Sequence, residues 1–189
     1  MTSEELTKVV EPTIGSVVYH LKRLMKAGLV VKPGSEYELR MNSLLTSIKE
    51  TRKEIDLTLE NIEKVILEME SLLSKKQTGF TVIELSAIAT FLHNFYNGVE
   101  NIFKRIFKYK KFQLSQGDTW HKDMLNIARD NKLIDEKLYD RLYDYLMFRH
   151  MFIHAYSFQL EWEKLKPLAI DLKDTYNTFK KSIMHYIAE

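Results

Sequence analysis

Apolar positions recur at helical spacing along most of this 189-residue chain. From residue 53 onward they fall three and four positions apart, so each segment has one apolar face and one charged face. Gly and Pro, at 6 and 3 residues, are too scarce for a β-rich fold. The pattern predicts a mostly α-helical protein with an antiparallel helical bundle over residues 50–189. The predicted helices cover residues 53–74, 80–109, 119–131, 135–154 and 161–189.

The first 45 residues have a different pattern. Two short helices are predicted over SEELTKVV and TIGSVVYHLKRLMKA, and Gly28 ends the second. LVVK, a turn at Pro33 and Gly34, and EYELR then predict a small hairpin. This order is that of a winged helix, and YHLKRLMKAGLVVKPGSEYEL resembles the recognition helix and wing of ArsR-like regulators. Because the usual first helix is missing, we expect a truncated winged-helix-like segment at residues 1–45.

Composition excludes several classes of protein. Lys and Arg number 28 against 26 Asp and Glu, a net charge of +2, so any contact with RNA or DNA must come from a local basic patch. The absence of cysteine excludes disulfides, thiolate zinc sites and cysteine nucleophiles. No apolar run approaches the roughly 18 residues of a membrane span, and the N-terminus does not resemble a signal peptide. We therefore expect a cytoplasmic protein without a membrane partner.

Arg149 interrupts an apolar stripe. The stripe of the helix at 135–154 runs through Leu138, Leu142 and Tyr145 and then reaches Arg149. A charge at such a position is costly unless it is paired or lines an interface or a cleft. The position of Arg149 in the helical repeat leaves two interpretations open. Arg149 either forms a structural ion pair with a neighbouring helix or is a functional residue in a cleft.

His154 follows Arg149 by five residues, which places the two about 140° apart on a regular helix. They can share a site if the helix ends or kinks near His154, or if a second subunit closes the cleft. His150 and His154 are four apart, a spacing found in metal sites. No third ligand is evident, so we predict neither a metal nor a cofactor.

The spacing of Arg149, His154 and Tyr156, R-x4-H-x-Y, resembles the signature of HepT-like toxins of the HEPN superfamily. His150 matches the polar residue that often follows the arginine in this superfamily. The strings FLHNFYNGVENIFKRI, GDTWHKDML and FRHMFIHAYSFQLEWEKL resemble HepT-like domains in the same order. The resemblance covers about residues 50–189 and implies a HEPN helical bundle.

The resemblance also implies an activity, a metal-independent endoribonuclease that acts as the toxin of a toxin–antitoxin pair. Arg149 and His154 would be catalytic at a homodimer cleft, because RNA supplies its own 2′-OH nucleophile, His can transfer a proton near neutral pH, and Arg can stabilise charge on the phosphate. In the family, a cognate nucleotidyltransferase antitoxin attaches AMP to the tyrosine that Tyr156 matches. His150 and Tyr156 would support the active site.

Further residues have two interpretations each. Glu100 is either a partner of Arg149 or an ordinary exposed residue of its helix. The basic residues Lys104, Arg105 and Lys108 either follow an RNA backbone or complement a helix C-terminus in solvent. His20, Lys22 and Arg23 can face DNA if the winged helix is intact, although the charge balance of the first 50 residues does not favour DNA binding.

Two functions of other classes compete with the ribonuclease. HEPN bundles also serve as non-catalytic binding modules beside nucleotidyltransferases, but such versions often lose the Arg–His pair, which this chain retains. The other alternative is a winged-helix transcriptional regulator whose helical domain only dimerises.

Overall fold

The computed structural model describes residues 19, 22–27, 36–74, 79–114, 117, 119–154 and 160–187. Within these residues all regular structure is helical, which confirms the mostly α-helical prediction. The chain divides into two compact units, residues 1–50 and 51–189. The long helices are α1 (Glu36–Ser74), α2 (Val82–Lys110), α3 (Trp120–Asp130), α4 (Glu136–His154) and α5 (Trp162–Tyr186).

The second strand of the predicted hairpin is helical in the structure. Residues 36–40, the predicted second strand EYELR, form the beginning of α1. The reason is that Glu, Leu and Arg favour helix and that neither Gly nor Pro interrupts the chain between Glu36 and Ser74. The first predicted helix, LVVK and the turn lie outside the described residues, whereas residues 22–26 are helical as expected. The winged-helix prediction is therefore not supported.

In the second unit, local hydrogen bonds define where α2 and α4 begin. Thr81 and Glu84 form a capping box, in which the Thr81 N–H donates to Glu84 Oε2 at 2.8 Å and the Glu84 N–H donates to Thr81 Oγ1 at 3.3 Å. Asp135 Oδ1 accepts from the N–H of Leu138 at 2.8 Å, directly before α4. Both helix ends therefore follow from short sequence motifs.

In this unit, α1 and α5 pack antiparallel. Between α1 and α5, the Tyr176 hydroxyl donates to Glu63 Oε1 at 2.9 Å, and Lys173 reaches Glu70 at 2.7 Å. The later residue of α1 contacts the earlier residue of α5, so the two helices run in opposite directions. Between α4 and α5, the Tyr145 hydroxyl donates to the Leu168 carbonyl at 2.8 Å. Among the described residues, no helix is both long and apolar enough to span a membrane.

The core of this unit consists of apolar side chains from the part of α1 after residue 50 and from α2, α3, α4 and α5. Its largest fully buried members are Tyr96, Tyr145, Phe95, Phe103, Phe107 and Phe179. Helix α2 supplies the largest share of the buried residues among those described, from Leu85 to Phe107. Glu100 on α2 and Thr175 on α5 are the buried polar residues among those described. Glu100 belongs to the candidate site.

Candidate active site

Arg149 is enclosed by side chains from α2 and α3. Its side chain is 17% exposed. Its Nε donates to Asn97 Oδ1 at 3.1 Å, and its Nη1 lies 3.1 Å from His121 Nε2. Glu100 Oε2 lies 3.8 Å from the same Nε. We call Asn97, Glu100, His121 and Arg149 the Arg149 cluster; it explains how a charge is tolerated where the stripe of α4 calls for an apolar residue.

Glu100 is buried at the centre of this cluster and is 3% exposed. Asn97 and Glu100 are three residues apart, so both lie on the face of α2 toward α4. Glu100 Oε1 lies 2.5 Å from His121 Nδ1 while Oε2 approaches Arg149. A buried carboxylate is tolerated when it is paired and hydrogen-bonded, and here both oxygens have a partner. Of the two interpretations of Glu100, the geometry matches the partner of Arg149.

The hydrogen bonds determine the protonation state of His121. A guanidinium has donors only, so Nε2 of His121 must accept from Arg149, and Nδ1 carries the hydrogen that is donated to Glu100. The imidazole is therefore neutral. Burial lowers the pKa of His121, and Arg149 and Lys104 act in the same direction, whereas Glu100 opposes them. Although a carboxylate contact by itself would favour imidazolium, the donor from Arg149 on the opposite nitrogen decides for the neutral form.

His93 lies one turn before Asn97 on the same face of α2. Its Nδ1 is buried and has no hydrogen-bond partner in the part of the chain that the structure describes. Its ring lies 5.4 Å from that of Phe152 on α4. Burial, followed by the charge of Arg149, lowers the pKa of His93. His93 thus adds a second neutral imidazole near Arg149.

The remaining predicted active-site residues belong to the end of α4 and to the segment after it. His150 is exposed. His154 is the last residue of α4, but its side chain lies outside the described part of the structure, as does all of Tyr156. The roles predicted for His154 and Tyr156 therefore stay predictions.

The three basic residues of α2 have separate surroundings. Lys104 places its ammonium 4.4 Å from the centre of the Trp120 ring, next to the Arg149 cluster. Arg105 forms an ion pair with Glu54 of α1 at 2.9 Å. Lys108 is exposed in the last turn of α2. Lys104 is therefore the member of the set that lies beside the cluster.

The sequence pattern did not single out His93, Asn97 or His121. Two signals were present, the spacing of His93, Asn97 and Glu100 at i, i+4 and i+7, and the position of His121 within GDTWHKDML. Within the described residues, no group of three or more His, Asp or Glu side chains has an arrangement that could hold a metal ion. The cluster instead presents a cation with an adjacent neutral imidazole and a buried carboxylate, an arrangement that can bind an anionic group and stabilise added negative charge.

Comparison with known proteins identifies the class. The model of the family described as HepT-like protein matches residues 87–189, more than half of the chain. The chain therefore belongs to the HepT-like family, part of the HEPN superfamily, which is generally associated with RNA cleavage.

A solved structure shares the fold. It is that of YutE from Bacillus subtilis, described as a cytosolic protein of unknown function, with a TM-score of 0.58 and 17% sequence identity. The match covers 72% of this chain and 90% of that one. No curated protein sequence matches this chain.

Proposed function

We propose that this protein is a metal-independent endoribonuclease, the toxin of a HEPN–nucleotidyltransferase toxin–antitoxin pair in the cytoplasm. The observation that carries the proposal is the geometry of Arg149. Its guanidinium is partly buried, held at Nε and Nη1 by Asn97 and His121, and placed five residues before His154 at the end of the same helix. Membership in the HepT-like family supports this assignment, since the spacing R-x4-H-x-Y is retained.

The proposed reaction uses the 2′-OH of RNA as its nucleophile. The 2′-oxygen attacks the adjacent phosphorus while His154 removes its proton, and the bond from phosphorus to the 5′-oxygen breaks as that oxygen takes up a proton from water. The products are a 2′,3′-cyclic phosphate and a 5′-OH end. Arg149 binds the phosphate and stabilises the negative charge that develops on its oxygens.

The catalytic unit in this proposal is a homodimer. Three large apolar side chains in the second half of α4 are strongly exposed, namely Met147 at 50%, Met151 at 40% and Ile153 at 52%. We propose that these side chains take part in an interface with a second copy of the chain. Such an interface would bring the two ends of α4 together, so that the cleft forms between subunits.

Incubation of the purified protein with RNA in excess EDTA tests the activity. We expect cleavage to continue at an unchanged rate and to yield 2′,3′-cyclic phosphate ends, as seen by end-labelling and mass spectrometry, because the proposed groups are side chains of this chain. Analytical ultracentrifugation should show a dimer under the same conditions. Activity that disappears in EDTA and returns with Mg²⁺ or Zn²⁺ would overturn the metal-independent mechanism, and an active monomer would overturn the shared cleft.

Tyr156 is the proposed site of regulation. It follows Arg149 by seven residues in the sequence, and we propose that an AMP group on it adds bulk and negative charge that exclude an RNA phosphate. We expect co-expression with the cognate nucleotidyltransferase to add AMP to Tyr156 and silence cleavage, and we expect Tyr156→Phe to stay active and escape silencing. Intact-mass and peptide mass spectrometry measure the modification. AMP on another residue, or silencing of Tyr156→Phe, would contradict this assignment.

A further inference from the structure

A chain of polar contacts joins three helices behind Arg149. Glu100 on α2 contacts His121 on α3 at 2.5 Å, and His121 contacts Arg149 on α4 at 3.1 Å. Although 28 residues separate His121 from Arg149, their side chains meet because α3 and α4 pack against each other. His121 thus links the buried carboxylate to the guanidinium.

His121 has the chemistry that orienting an arginine requires. A long Arg side chain has many rotamers. If its guanidinium is already fixed before a ligand arrives, binding does not cost additional side-chain conformational entropy. The guanidinium is held at two nitrogens by acceptors on two different helices, Asn97 on α2 and His121 on α3. Within the described residues no hydrogen bond to its Nη2 is present, and we assign this nitrogen to an anionic oxygen of the ligand.

The ring of His121 is itself held in place. The Trp120 ring centre lies 3.5 Å from that of His121, and the Lys104 ammonium lies 4.4 Å from the Trp120 ring centre. Glu100 anchors Nδ1 from the opposite side. With the ring fixed in this way, the lone pair on Nε2 stays directed at Arg149.

We propose that His121, anchored by Glu100, is a positioning residue that holds the Arg149 guanidinium ready for a phosphate oxygen of RNA. The proposal rests on the ribonuclease function proposed above, and it assigns His121 no contact with the reacting atoms. Its defining feature is the unprotonated Nε2, which accepts a hydrogen bond from Arg149.

Protonation of His121 would undo this arrangement. A hydrogen on Nε2 would place one donor against another and a cation beside Arg149. The charged groups that face the imidazole are Glu100 and Lys104 on α2 and Arg149 on α4. Burial lowers the pKa of His121 most, and Arg149 and Lys104 lower it further, whereas Glu100 alone raises it. The net shift is downward and favours the neutral form.

Nitrogen-15 NMR of the full-length protein tests the geometry without RNA. We expect His121, assigned by comparison with His121→Gln, to carry its hydrogen on Nδ1 at neutral pH and to titrate below the ordinary pKa of 6.5. A hydrogen on Nε2, or an imidazolium at neutral pH, would overturn the positioning role whether or not the protein cleaves RNA.

Paired variants test the consequence for function. Glutamine can place an amide oxygen near the position of Nε2, whereas alanine cannot. We expect His121→Ala to lower single-turnover cleavage by about 10²-fold, the effect of misplacing a catalytic group by roughly an ångström. We expect His121→Gln to recover to within about tenfold of the unchanged protein, because a single neutral hydrogen bond contributes about 1 kcal/mol. His185→Gln, the same substitution at an exposed position in the last turn of α5, serves as the control.

The cleavage rates of His121→Ala and His121→Gln together decide whether His121 positions Arg149. Loss in His121→Ala with recovery in His121→Gln, at similar helicity by circular dichroism, supports positioning through an acceptor. Equal loss in both variants, or no loss in His121→Ala, overturns it. If the unchanged protein has no activity, the proposed function fails, and the NMR experiment still decides whether His121 positions Arg149.

Discussion

Arg149→Lys should lower the rate of RNA cleavage by about 10²–10³-fold, the effect of losing one preorganised donor to a developing oxyanion. Lysine keeps the positive charge beside the buried Glu100 but cannot donate to Asn97 and His121 in the fork geometry of a guanidinium. The measurement is single-turnover cleavage of a labelled RNA, with thermal unfolding followed in parallel.

Lysine is preferable to alanine at this position. Arg149→Ala would leave Glu100 buried without its cation and would lower stability together with activity. Arg129→Lys is the matched control, because Arg129 is paired with Asp130 near the opposite end of α3. Equal cleavage by Arg149→Lys and the unchanged protein would exclude the proposed role of the guanidinium.

The same assay applies to His154. We expect His154→Ala to lower cleavage by about 10²–10⁴-fold, the usual contribution of a general acid or base. His150→Ala should have a smaller effect, because His150 is exposed and is proposed only to support the site. A larger loss in His150→Ala than in His154→Ala would reverse the two assignments.

Gly98→Ala should lower the free energy of unfolding by about 1–3 kcal/mol, the typical cost of overpacking a core. A Cβ at Gly98 would lie 2.6 Å from both Cγ1 and Cδ1 of Ile62, which is 2% exposed, so α1 and α2 would have to separate. The greater helix propensity of alanine, about 1 kcal/mol over glycine, offsets part of this cost. Urea unfolding monitored by circular dichroism measures the change.

A double-mutant cycle provides the control for Gly98. Ile62→Ala removes both contacting carbons, so Gly98→Ala in that background should be neutral or stabilising. If Gly98→Ala costs the same in both backgrounds, the close approach of the two helices is not the cause.

Helices with a continuous apolar stripe could be predicted closely from the sequence. The segment expected at residues 80–109 is α2 at Val82–Lys110, and that expected at 135–154 is α4 at Glu136–His154. Spacing of apolar residues by three and four positions is a local property of the sequence. A short capping motif such as Thr81 with Glu84 fixes the residue at which a helix begins.

The beginning of α1 could not be predicted in the same way. EYELR alternates apolar and polar residues over five positions, a pattern that fits a short strand, yet its residue types also favour helix. Five residues are too few to distinguish the two periods. The helical run that continues to Ser74 determines the outcome.

The sequence alone determined that the chain is helical and that Arg149 occupies a position meant for an apolar residue, because both follow from spacing along one helix. It left Glu100 with two interpretations and did not single out His121. Only the tertiary structure decided that Glu100, His121 and Arg149 meet, since their contact depends on the rotation and register of three packed helices. The protonation state of His121 was decided at the same level, because a hydrogen is assigned to a ring nitrogen by the partner that faces it.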